Sequence, residues 1–398
     1  MKKPVIIVIG RNYTSRLGMI RAVGMAGYDV IVIQTNGVSP NKGIDSYSKY
    51  VRQHFFAREP DRGLLMDVLR QIAENEGPGN IIIPVDDYAS SVIDDNLLEL
   101  KDLFLFPNVD MAQGMVNHFM DKSVQKEMAR SCGLNVAGGW TVVVKNGQFE
   151  IPDSIVYPCF PKPLVSFTGN KTCMVPCGSK NELFKVLESF SSNFPDCDIL
   201  IEEFKRVDKE YATLGYSDGK SVVLPGMIQV LKDGSGHHKG VTLLGRLLPP
   251  AGFSAFFEQL KAFILNLHFV GLFDIDSYES SGQLFFNELN LRFGASGYAV
   301  TSKGVNLPEM LIDTLIGNDT SLSTSISDES LFVNEKVAYE DLISGYISRK
   351  RYNHFMSDDF IHFIKNDEDP EPFVRFSRNQ RYGIKSRVLC LLRNLKLR

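Results

Sequence analysis

The densest set of side chains able to do chemistry lies in FDIDSYESSGQLFFNELNLRFGAS, residues 273–296. Side chains on an extended strand alternate between faces, so Asp274 and Asp276 share one side, as do Glu288 and Asn290. A hairpin turning at 279–282, in the register its turn suggests, gathers all four on one surface. Hard oxygen donors that leave room for phosphate oxygens suit Mg²⁺, which keeps octahedral geometry and takes few protein ligands. Arg292 adds a planar cation able to meet a phosphoryl group through two hydrogen bonds. A solvated hairpin face is the competing reading, but Phe285, Phe286, Leu289 and Leu291 bracket these polar residues closely.

Upstream segments supply the cations that such a site needs. MDKSVQKEMARSCGLNV puts Lys122 ahead of a helix, and FPKPLVSFTGNKT puts Lys162 on a strand before a loop holding Ser166, Thr168 and Gly169. Two lysines can neutralise neighbouring phosphates as point charges, while loop hydroxyls and N–H groups donate to the same anion. LIEEFKRVDKEY ends an apolar strand on Glu202, Glu203 and Phe204, with Glu210 further on. Taken singly, each lysine reads as a surface residue and each glutamate as an ordinary strand end. Only their joint appearance raises the odds that they act together.

ELNLR (Glu288 to Arg292), with its preceding acidic strand, resembles the E-x-N-x-R signature of the ATP-grasp ligases, and the likeness in order and spacing extends over residues 115–315. The resemblance implies that Lys122 and Lys162 bind phosphates and that the loop of Ser166, Thr168 and Gly169 closes over them. It implies that Glu202, Glu203 and Phe204 form the hinge beside adenine, and that Glu210 accepts from the ribose. It makes Asp276, Glu288 and Asn290 the metal ligands, for Mg²⁺ with Mn²⁺ as the alternative ion, and ATP the nucleotide. Arg292 is then a catalytic residue, joined by His238 and Lys239 from KDGSGHHKG near the γ-phosphate. The phosphate loop departs from the usual pattern, because SFTGNKT carries a single glycine where many members have several.

The elements that must position these residues follow from hydrophobic periodicity. Apolar runs at 5–10, 28–34, 80–87 and 103–107 predict strands of a doubly wound start, with helices over 15–26 and 64–76. One helix is expected from Val116 to Gly133. Beyond it, helices over 181–190 and 255–267 separate strands at 198–203, 210–216, 222–230, 271–278 and 283–290, an α+β pattern. The expected fold class is α/β and α+β: a Rossmann-like domain at 1–115, then an ATP-grasp fold whose two α+β subdomains, 116–195 and 196–320, clasp ATP. Residues 321–398 form a C-terminal extension after the polar segment NDTSLSTSISDES. Asp86 and Asp87, near a strand end, and Ser296 are positional candidates for substrate contact.

Composition removes several function classes. The chain has 398 residues, 44% apolar and 23% charged, with a net charge of −4, which excludes a globally basic nucleic-acid binder and an acidic disordered chain. Six cysteines without a C-x-x-C pair read as reduced thiols, and no apolar run is long enough for a bilayer span, so a cytoplasmic enzyme is expected. Neither G-x-G-x-x-G after the first strand nor a Walker loop is present, and no Ser/His/Asp triad is suggested. The basic, amphipathic C-terminal tail is compatible with peripheral membrane contact, and a homodimer is an open expectation. The resemblance implies small-molecule substrates, a carboxylate activated as an acyl phosphate and an amine that attacks it, with an amino acid joined to a peptide or amino-sugar precursor. A bicarbonate-using, carboxylase-type enzyme and a non-catalytic ATP-binding scaffold are the alternatives; a scaffold would be expected to lose a metal ligand.

Overall fold

Runs of Val and Ile with no polar alternation demand burial on both faces, and the structure supplies it. The computed structural model describes residues 3–36, 42–165, 173–236, 239–319 and 322–380. Strands β1 (Ile6–Gly10), β2 (Val30–Gln34), β3 (Val51–Phe56), β4 (Asn80–Pro84) and β5 (Phe104–Leu105) form a parallel sheet in the order β3-β2-β1-β4-β5. Ile6 and Val8 pack on helix α1 (Tyr13–Met25), while Val5, Ile7 and Ile9 pack on α2 (Arg62–Glu76) and α3 (Asp87–Asp95). Each helix is capped by a side chain: Asn12 accepts from Thr14 N–H, Asp61 from Leu64 N–H and Asp86 from Ala89 N–H. That last cap corrects the strand expected over 80–87. The strand stops at Pro84, and Asp86 and Asp87 open a helix instead. Strand β3 was not expected, because VRQHFF is a part-exposed edge without an apolar run.

The single helix expected from Val116 is two. After α4 (Leu97–Leu100) and β6 (Asn108–Val109) come α5 (Met115–Phe119) and α6 (Lys122–Ser131). Asp121 breaks the run because its carboxylate accepts from the N–H groups of Ser123 and Val124, at 2.7 and 3.3 Å, making Lys122 the first residue of a new helix. Strands β7 (Gly139–Val142) and β8 (Cys159–Pro163) flank β9 (Ile199–Glu203) in a three-stranded antiparallel sheet covered by α7 (Lys180–Ser191).

The largest sheet contains β10 (Lys209–Asp218), β11 (Val222–Val223), β12 (Met227–Asp233), β13 (Thr242–Leu248), β14 (Phe269–Ser280) and β15 (Gln283–Asn290). The strand expected over 222–230 is interrupted between β11 and β12, at Leu224-Pro225-Gly226. Helix α8 (Ser254–Leu265) lays Phe256, Phe257, Leu260 and Phe263 over Phe273, Ile275, Phe286 and Leu289. The intervening residues of β14 therefore face the other way, where Leu272 joins a core shared with α1, α9 (Gly297–Thr301) and α10 (Leu307–Ile316). That second face is the one that carries Asp274 and Asp276.

The C-terminal extension adds β16 (Ser330–Val333) beside β13 and, after α11 (Glu335–Ile343) and α12 (Arg349–Phe355), β17 (Ile361–His362) beside β16. It is bolted to α1 by buried charge. Arg21 Nε donates to Asp369 Oδ2 at 3.0 Å, and its Nη atoms donate to the carbonyls of Phe363 and Ile364 at 2.9 and 2.8 Å. Asp369 also accepts from Ser48 Oγ and Lys49 N–H. Asp369→Ala leaves the Arg21 guanidinium buried without its anion, and a loss of roughly 3–5 kcal/mol is expected. Urea unfolding with the midpoint compared at equal slope checks it; a shift below about 1 kcal/mol overturns it. Among the described residues no helix is long and apolar enough to cross a membrane.

Candidate active site

The acidic hairpin converges through a device that residue counting misses. Its turn is the tight pair Ser281 and Gly282, with φ of 52° and 76°, and Ser280 pairs with Gln283. Continued without interruption, that register sets Asn287 opposite Asp276 and sends Glu288 to the core face. Instead Ser277 pairs with Phe286 and Asp276 pairs with Glu288, leaving Asn287 as the extra residue of a β-bulge. Asp274 then stands opposite Asn290. All four residues share a face as expected, but through the bulge and not through the register that the turn alone would set.

Asp274, Asp276 and Glu288 crowd three carboxylates onto one face. Burial, then the charges of Asp274 and Glu288, hold the Asp276 carboxyl well above the usual carboxylate range. Asp274 is also raised, by burial first, although Arg292 opposes the shift. Oδ1 of Asp274 is buried with no hydrogen-bond partner. Among the described residues no ready cage of three His, Cys, Asp or Glu exists. The candidate set is two carboxylates and an amide, Asp276, Glu288 and Asn290, and such an all-oxygen, under-neutralised set fits a hard divalent ion that retains other ligands. Gly294 admits Asp274: a Cβ there would stand 2.3 Å from its Oδ2.

Arg292 ties this face to the parallel sheet. Its Nε donates to Asp87 Oδ1 at 3.2 Å and its Nη1 to Asp274 Oδ2 at 3.3 Å. Burial disfavours the guanidinium charge, but Asp87, Asp274, Asp276 and Glu288 outweigh it and raise the pKa. Asp87, the first residue of α3, is thus brought to the site; Asp86 is spent on its helix cap and on Arg11 N–H at 2.5 Å. Gly10 and Asp86 lie where β1 and β4 adjoin, the point at which the sheet order reverses and at which open α/β sheets form a crevice.

The two expected lysines arrive from different elements. Lys122 Nζ pairs with Glu288 Oε1 at 2.9 Å. Lys162 Nζ, on β8, meets Glu202 Oε2 at 2.5 Å and Asn287 Oδ1 at 2.9 Å, so the bulged residue receives the second lysine. Helix α6 is clamped to β15 by Gln125, whose amide donates to Leu289 O at 2.8 Å and accepts from Leu289 N–H at 2.9 Å. Lys126, one turn after Lys122, also pairs with Glu202. Sequence reasoning missed it, although the i, i+4 spacing on a helix already placed it on the face of Lys122. Glu202 is pushed up by burial and pulled down further by Lys162 and Lys126, leaving it below its ordinary value.

Other expected residues are placed less centrally. Glu203 pairs with Lys205 at 2.6 Å, and Phe204 is exposed with its N–H donated to Pro158 O at 3.0 Å. Glu210 is exposed on β10 opposite Tyr278, whose ring stacks on Phe285 with centroids 5.3 Å apart. Lys239 is exposed and is not gathered with the others. Its loop is held instead by Asp341, which accepts from Ser235 N–H and Oγ at 2.9 and 3.0 Å. Ser166, Thr168, Gly169 and His238 lie outside the described residues, as does the basic tail from 381.

No family model matches the sequence. The chain nevertheless has the ATP-grasp fold. A biotin carboxylase–β,γ-ATP complex from Campylobacter jejuni superposes with a TM-score of 0.65 at 16% identity, over 83% of this chain and 75% of that one. An L-amino acid ligase from Bacillus licheniformis gives 0.63 at 14% identity, over 83% and 80%. An N5-carboxyaminoimidazole synthetase from Staphylococcus aureus gives 0.60 at 17% identity, over 86% and 85%.

Proposed function

We propose that this protein is an ATP-dependent carboxylate–amine ligase that forms an amide through an acyl phosphate. One observation carries the reading: Lys122 and Lys162, forty residues apart, both end on the bulged strand that also presents Glu288 and Asn290. A lysine pair beside an oxygen-lined cation site is an arrangement for a polyphosphate.

In this reading residues 1–115 are a Rossmann-like domain, 116–195 and 196–320 clasp the nucleotide, and 321–398 extend it. Asp276, Glu288 and Asn290 would hold Mg²⁺, which would supply neutralisation of phosphate charge. Lys122 and Lys162 offset phosphate charge. Glu202, Glu203 and Phe204 border adenine, and Glu210 receives the ribose. The guanidinium of Arg292, already oriented by Asp87 and Asp274, meets the phosphoryl group of the activated carboxylate. The work is electrostatic and positional, with no nucleophilic side chain required. The L-amino acid ligase among the similar structures supports an amino acid as one substrate; its joining to a peptide or amino-sugar precursor in the cytoplasm is part of the proposal.

A second reading has its own support, since the biotin carboxylase domain of a 2-oxoglutarate carboxylase, solved with bicarbonate, shares the fold: the carboxylate would then be bicarbonate. Phosphate release from MgATP, measured across amino acids, small carboxylates and bicarbonate, separates the two. Turnover only with a carboxylate and an amine together is expected. Bicarbonate-dependent turnover favours the second reading, and ATP binding without turnover under every condition overturns both.

A further inference from the structure

We infer that Lys126 is a positioning residue of the nucleotide site, the standing counter-ion that keeps Glu202 neutralised when Lys162 turns to a phosphate. The inference rests on the nucleotide reading above and concerns a residue that the E-x-N-x-R resemblance does not assign.

Lys126 is 3% exposed, as deeply set as Lys122 at 3% and Lys162 at 5%. Its ammonium ends on Glu202 Oε1, while Lys162 takes Oε2 of the same carboxylate at 2.5 Å. Two ammonium groups therefore share one anion that is itself only 6% exposed. The trio carries one positive charge in excess, inside protein, which is the condition of a site waiting for an anion rather than of a finished ion pair.

The two lysines are mounted differently. Lys126 sits on α6, and Gln125 of that helix is locked to both backbone groups of Leu289. Lys162 sits on β8, near the end of that strand, and its other partner is the neutral amide of Asn287. The lysine able to exchange a partner for phosphate oxygens is Lys162; the one held in place is Lys126. If Lys126 were absent, drawing Lys162 away would leave Glu202 buried without a cation, and the cost of that state would keep Lys162 where it is. Burial lowers the Lys126 pKa to about 8, with the Glu202 charge opposing the fall, so each of these two groups depends on the other for its charge state.

The test is ATP binding to the full chain by titration calorimetry for the wild type, Lys126→Met, Glu202→Gln and the double variant. Lys126→Met is expected to weaken ATP binding about 10- to 100-fold, the size of one charged hydrogen bond to phosphate. In turnover the loss falls on KM for ATP rather than on kcat. Glutamine at 202 keeps an oxygen acceptor but removes the anion that detains Lys162. The double variant is therefore expected to bind within about threefold of Glu202→Gln alone, a non-additivity that a merely structural lysine would not produce. Should Lys126→Met fail to fold, Lys126→Gln carries the same expectations. An unchanged dissociation constant for the Lys126 variant, or losses that simply add in the double variant, overturns the inference while leaving the nucleotide reading intact. A wild type that binds no ATP overturns both.

Discussion

Asp276→Asn is expected to abolish turnover while raising the melting temperature of the ligand-free protein. The two effects have one cause. Asp276 faces Glu288 across the hairpin and shares its face with Asp274, and burial together with those two charges makes its ionised form costly. Folding lifts this pKa, so the native state holds the proton more tightly than the unfolded chain does. Stability without a metal therefore falls as pH rises from the ordinary carboxylate range through the elevated value, and the asparagine variant loses that slope. In the proposed reading a bound cation relieves the penalty. Loss of outer support for a metal ligand alone costs about 10- to 100-fold, so loss of a ligand should cost kcat at least about 100-fold. Thermal melts from pH 5 to 8, with and without Mg²⁺, and single-turnover kinetics check both halves. A variant that is less stable than the parent and still active would show that Asp276 belongs to an ordinary hairpin face.

The parallel sheet was open to sequence reasoning because its strands are apolar on both sides, and the α+β remainder because its strands and helices alternate in period. The acids were legible for the same reason: Phe273, Ile275, Phe286 and Leu289 announce the buried face, and the residues between them must look elsewhere. What stayed hidden was the bulge. From a two-residue turn, simple counting puts Glu288 on the wrong side, and nothing in LFFNELN marks Asn287 as the residue that drops out of register. Asp121 did carry a signal, because an aspartate followed by lysine and serine is a helix start, and treating 116–133 as one helix overrode it. The partner of Arg292 was beyond reach altogether. Asp87 lies 205 residues away, and no local pattern states which carboxylate will complete a long-range pair.

Arg292→Lys is expected to cut kcat about 10²- to 10³-fold while leaving ATP affinity nearly unchanged. The substitution keeps the charge and removes the fork. Nε and Nη1 of the guanidinium reach separate carboxylates, Asp87 on a helix of the parallel sheet and Asp274 on the hairpin, and these two bonds fix the plane of the group. A lysine is a single point on a flexible stem and cannot hold both anions and still present a planar pair of donors. Asp274, whose pKa Arg292 holds down against burial, would lose part of that support, so a rise in the pH needed for full activity is expected as well. Asp87→Asn separates orientation from charge: it leaves the guanidinium intact and removes one of its two guides, so a smaller loss confined to kcat is expected. ATP affinity that falls as far as kcat in Arg292→Lys would place this residue in nucleotide binding instead. If Asp87→Asn has no effect, the bridge between parallel sheet and hairpin is a packing contact, and the two bodies meet without setting the geometry of the reacting group.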